Sequence, residues 1–193
     1  MPPEQQRWVD GSFLPLAALL GTQRLLQATV VLPTSQHFPD PYDSCELALQ
    51  RIIKRVATAL GVDPSDLDVS LFASADDLTH GLVPFSFGPT SGAAGLDHHD
   101  PAAQPHFSIN EKQLRDALAL VAGLAHELGH ILVLRPELVP RDDPDMEPVT
   151  DLLTVFLGFA IFTANSAFRC KQYTTDRSQG WSAGRLGYLF EEL

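Results

Sequence analysis

The chain has 193 residues, 45% of them hydrophobic and 19% charged, a balance that suits one globular domain with enough apolar material for a real core. Its formal net charge is −11, from 24 acidic against 13 basic residues, and the basic ones are scattered. Phosphate contacts need clustered Lys and Arg, so this composition speaks against a nucleic-acid binder.

The N-terminal "MPPEQQRWVDG" lacks a basic region followed by an apolar one, so no secretory signal is visible and the cytoplasm is the expected location. Residues 11–27 read as short helical segments broken by Pro15 and Gly21. "ATVVLP" (28–33) is β-branched and ends at proline, which predicts a strand, and residues 34–43 form a proline-rich loop. In 44–60, Leu49, Ile52, Ile53, Val56 and Leu60 recur at helical spacing, with Ser44 as the cap and Gly61 as the stop. "LDVSLFA" (67–73) alternates as a strand does. Residues 81–106, rich in Gly, Pro, Ser and His, have no period and read as a long loop or irregular sheet.

"HFSI" (106–109) is a candidate edge strand, after which Asn110 and Gln113 suit the two ends of a capping box. The spacing predicts a helix from about 111 to 134, closed where Pro136 disfavours helix at Arg135. A second buried helix is expected from 147 to about 169. Its apolar run, 152–168, is shorter than the ~20 residues of a membrane span, contains Thr154, Thr163 and Asn165, and follows Asp151, so a buried central helix is the reading. Residues 186–193 look like the start of one more amphipathic helix, so the C-terminus reads as truncated. Cys45 and Cys170 are far apart and in no metal-type spacing, which fits two reduced thiols better than a disulfide framework.

The chemistry sits in "LVAGLAHELGHILVL" (120–134), a helix apolar almost throughout that nevertheless holds His126, Glu127 and His130. Histidines four apart on an α-helix differ by ~40° and ~6 Å of rise, so both imidazoles leave one face and can reach one zinc. Glu127, offset by ~100° from His126, is placed to act on a water there rather than to share the ion. An H-E-x-x-H arises by chance in a chain of this composition roughly once in a hundred. The bland alternative is a pair of hydrogen-bonded core histidines beside a solvated glutamate. Buried polar groups without partners are costly, and a metal would satisfy all three together.

A catalytic zinc takes three protein ligands and keeps one position open. The version with a third histidine is absent, because Val133 and Pro136 stand where its Gly and His would be. "EPVTD" instead places Glu147 and Asp151 four apart at the entrance of the next apolar helix. The connecting turn is long enough for Glu147 to complete the site, with Asp151 behind it accepting a hydrogen bond from the outer nitrogen of a ligand histidine. The alternatives are that both are anions at a helix N-terminus, and that Asp142, Asp143 or Asp145 supplies the ligand.

HELGH followed by "EPVTD" resembles the gluzincin class of zinc metallopeptidases, and the longer string 147–168 resembles uncharacterised bacterial zinc-protease-like domains. The resemblance covers about 106–169. It implies a cofactor Zn2+ held by His126, His130 and Glu147, with Glu127 as catalytic base and Asp151 as the supporting carboxylate. The substrate it implies is a peptide or protein. For the oxyanion, the candidates are His98, His99, Tyr173 and Tyr188. The expected fold is α+β: a minimal zincin-like domain in which a small, mostly antiparallel sheet packs on the active-site helix and on a second buried, ligand-bearing helix. One domain, 1–193, is expected, with a helical and β portion over about 1–100 and the metal-site core at 106–169. Neither a membrane nor a nucleic acid is an expected partner, and oligomeric state is left open. A different class of function fits the same residues: a zinc-binding sensor or interaction module without catalysis.

Overall fold

The structure is a computed structural model, and it describes residues 2–72, 85–87, 106–134, 138–140, 143–175 and 178–185. Helix α1 (Pro3–Leu20) runs through Pro15 and ends at Gly21, and α2 (Thr22–Leu26) follows. Helix α3 (Glu46–Leu60) buries the apolar stripe read from the sequence and closes on Gly61 in the left-handed conformation. Its N-cap is Cys45 rather than Ser44; the Cys45 sulfur accepts from the Ala48 N–H. Then come β1 (Asp68–Phe72), β2 (Phe85–Phe87) and β3 (His106–Asn110). A 3₁₀ turn (Glu111–Arg115) leads into α4 (Ala117–Leu134), where Asp116 caps the Ala119 N–H, so the predicted box at Asn110 is not the start of the helix.

The second apolar run is not one helix. It is α5 (Met146–Thr154), a π-helical turn (Val155–Phe159) and α6 (Ala160–Ala167). The predicted continuation to residue 169 fails because β4 (Phe168–Thr175) begins there and pairs antiparallel with β5 (Ser178–Arg185). The break is at Gly158, whose φ of 100° is open to glycine and strained for other residues. Its carbonyl accepts a 2.9 Å hydrogen bond from the Val31 N–H. This accounts for "ATVVLP": it forms no strand, and Val31 bonds instead to the break in the helix.

The expected α+β fold is overturned. The core is helical: α4 packs on α3, α5 and α6, and Ile109 is the one strand residue among the described buried hydrophobics. The strands β1, β2 and β3 are short. β3 lies between β1 and β2 and is no edge; β1 pairs with it parallel and β2 antiparallel, so among the described residues this sheet is mixed rather than mostly antiparallel. The physical reason lies in the distribution of apolar residues. The buried ones among the described residues are concentrated in α3, α4 and the α5–α6 run, whose stripes bury one another. Ala117–Leu134 and Met146–Ser166 are long and apolar enough to cross a membrane, and 56% and 61% of them is buried inside the protein. The segment 186–193 lies outside the described residues.

A Cβ on Gly158 would stand 2.1 Å from the Thr29 carbonyl oxygen, at a φ that side chains disfavour. Gly158→Ala is therefore expected to cost at least ~2 kcal/mol and to lower the melting temperature by about 4–8 °C in a thermal melt. An unchanged melt would mean that the break relaxes without cost.

Candidate metal centre

Helix α4 presents His126, Glu127 and His130, and these three could hold a metal ion: one ligand atom from each lies within 4.8 Å of the others. The two rings are 4.6 Å apart between centroids and nearly perpendicular. Surrounding them are buried apolar residues of the same helix, among them Leu124, Ala125, Leu128 and Ile131.

Helix α5 supplies what faces them. Glu147 Oε2 is 2.8 Å from His126 Nε2 and 3.5 Å from His130 Nε2, so one carboxylate oxygen meets the same nitrogen of both rings. Asp151 Oδ1 lies 2.7 Å from His126 Nδ1, and its side chain is buried. Glu147 and Asp151 thus grip the two sides of a single imidazole. The acidic turn before them stays apart from this cluster: Asp143 accepts from the Asp145 N–H, Asp145 is exposed, and Asp142 lies outside the described residues.

Two features escaped the sequence reading. The first is Thr150, fully buried, whose Oγ1 lies 3.3 Å from His130 Nδ1. Its hydroxyl donates to the Met146 carbonyl, which leaves the oxygen as an acceptor for an Nδ1–H. With the proton on Nδ1, the Nε2 lone pair of His130 is turned to the cluster. The second is Gly129. A Cβ there would meet Thr150 Cγ2 at 2.9 Å and Thr154 Cγ2 at 3.3 Å, so a glycine is what lets α5 approach α4 this closely. The available signal was a glycine inside the motif opposite threonines four residues apart on the next helix. Of the oxyanion candidates, His98, His99 and Tyr188 lie outside the described residues. Tyr173 is in β4, paired with Gly180, and its side chain is likewise outside them.

The electrostatics are strongly coupled. Burial of His126 disfavours its charge, but the hydrogen bonds to Asp151 and Glu147 outweigh it and push its pKa up to about 10. Hydrogen bonds to His126 and His130 hold the Glu147 carboxyl down to about 2, against partial burial. Burial raises Glu127 above its ordinary value, with the two imidazoles acting the other way. No family model, no curated protein and no solved structure matches this chain.

The metal-free protein should show the linkage in its stability. His126 is raised, so its contribution is complete below its ordinary value of 6.5 and is lost as pH climbs towards about 10. Glu147 is depressed, so its contribution is complete above 4.5 and is lost as pH falls towards about 2. Chelator-treated protein is expected to be most stable between these limits in melts across pH, with Glu147→Gln removing the acid-side loss; an unaltered acid limb in that variant would contradict the assignment. Gly129→Ala should cost about 1–3 kcal/mol and weaken divalent-metal binding in a metal titration, because the strain falls between the imidazoles and their carboxylates. Unaltered affinity would show that the helix crossing does not set the site.

Proposed function

We propose that this protein is a zinc-dependent metallopeptidase, with zinc held by His126, His130 and Glu147. The observation that carries the reading is the Glu147 oxygen set against the Nε2 atoms of both histidines from a different helix. Two imidazoles and one carboxylate are a donor set suited to zinc, and three protein ligands are the number that leaves a catalytic position open. The spacing fits as well: tetrahedral ligands at ~2.0–2.1 Å from zinc stand ~3.3–3.4 Å apart, and the two Glu147 distances bracket that figure. The choice of a peptide or protein as substrate is supported by the resemblance of HELGH and "EPVTD" to the gluzincin motif, and by no feature of the fold.

When bound, zinc supplies Lewis acidity, which makes water a nucleophile near neutral pH and polarises a carbonyl. The chain's residues do the rest. Asp151 accepts the His126 Nδ1–H and keeps Nε2 directed at the ion; Thr150 does the same for His130. The apolar surroundings limit water and strengthen each of these interactions. Glu127, ~100° around α4 from His126, takes a proton from the attacking water on its carboxylate and delivers it to the leaving amine.

The test is Glu127→Gln against His126→Ala. Wild type and Glu127→Gln should each carry about one zinc per chain by metal analysis, and His126→Ala should not. Cleavage of a proteome-derived peptide library should fall by ~10²–10⁴-fold in Glu127→Gln. Cleavage retained in that variant removes Glu127 from its role. Wild-type protein that holds zinc and cuts nothing supports the non-catalytic sensor or interaction module instead.

A further inference from the structure

A cavity of about 350 Å³ opens on a different side of α4 from the imidazoles. Val121 lines it, five residues before His126, which places it ~140° around the helix and ~7.5 Å along it from the imidazole. Helix α3 presents Ala48, Arg51, Ile52 and Arg55 to this space, four positions that share one helical face. Phe38 and Phe162, ring centroids 5.6 Å apart, add an aromatic wall, and half-exposed Leu118 forms a lip.

The charges at the mouth do not cancel. Arg55 is committed to Asp40, which accepts from its Nε at 3.0 Å and from Nη2. That pair is neutral as a unit. Arg51, one turn earlier on the same face, has no hydrogen bond or ion pair among the described residues; Asp40 and Asp43 act on it only through space. Of the residues that line the cavity, Arg51 and Arg55 are cationic and Asp40 is anionic, so the lining carries one net positive charge, in a chain whose net charge is −11.

We propose that this cavity binds a small amphipathic monoanion, its apolar body against Ile52, Val121 and Phe162 and its carboxylate on the Arg51 guanidinium. The volume lies at the small end of the ~300–1,000 Å³ typical of ligand pockets, and an apolar lining with one well-placed polar group is their usual make-up. An apolar body takes the apolar lining out of contact with water. The guanidinium offers the paired donors that a carboxylate accepts in two-point fashion. This inference does not depend on the chemistry proposed for the metal centre.

The experiment is calorimetric titration of the full chain with octanoate. One octanoate should bind per chain, and octylamine, with the same tail and the opposite charge, should bind at least about tenfold more weakly. Arg51→Gln should weaken octanoate about tenfold or more. Leu118→Trp, which narrows the mouth at an exposed position, should weaken it too. A chelator should change nothing, since the site is not at the imidazoles. Four results would overturn the proposal: no octanoate binding, equal binding of octylamine, affinity unaffected by Arg51→Gln or by Leu118→Trp, or binding abolished by the chelator, which would place the carboxylate on a metal.

Discussion

The close crossing of α4 and α5 at Gly129 is the constraint on which the candidate metal centre depends. On α5 the residues Glu147, Thr150, Asp151 and Thr154 follow the spacing of a single helical face. On α4 that face meets His126, Gly129 and His130. A Cβ at 129 would stand 2.9 Å from Thr150 Cγ2, and its absence lets the two helices come close enough for the carboxylates to reach the imidazole. Both helices are otherwise apolar, so packing of the neighbouring leucines and valines holds the polar stripe in register.

Stability alone gives no reason for such a stripe. Burying ionised groups is expensive, and a well-packed apolar crossing is often as stable or more so. Here a histidine pushed towards its charged form sits between two carboxylates inside a helical core. Hydrogen bonds to both sides of the ring make this tolerable without making it favourable over leucine. The geometry is better explained by chemistry: the outer nitrogens are taken up by Asp151 and Thr150, and the inner ones converge on Glu147. Perturbed titratable groups of opposite sign, held on rigid elements, are characteristic of functional sites.

Much of this centre was legible in the sequence, and much of the fold was not. His126, Glu127 and His130 were legible because helical periodicity is local and fixes which side chains share a face. Pairing them with Glu147 and Asp151 needed one further step, the same periodicity applied to the next helix. Thr150 and Gly129 were hidden because their roles exist only across the crossing, and a threonine in an apolar helix has no signature of its own. The architecture failed for a related reason. "ATVVLP" has the composition of a strand, but its partner is the carbonyl of Gly158, far along the chain, and no local signal announces that. The edge strand expected at 106–109 turned out central because its neighbours are set by long-range pairing. The gluzincin resemblance pointed to His126, Glu127 and His130, which could hold a metal ion, and misled on the sheet, as expected when a motif is local and a fold is not.

Gly158 is what allows one apolar run to serve both faces of α4. Before the break, α5 turns its polar stripe to the imidazoles; after it, α6 carries Phe162 into the wall of the cavity beside α3. A continuous helix advances ~100° per residue, so its contact stripe follows a single line and faces a single neighbour. The π turn resets that phase. The hydrogen bond from Val31 fixes the reset, and the chain leaves Val31 directly into Pro33 and Thr34, which line the same cavity. The helix that carries the histidines is thereby covered on one side by carboxylates and on the other by an apolar space edged by Arg51 and the Arg55–Asp40 pair. Two such different environments ~140° apart on one helix follow from a single residue at which only glycine fits.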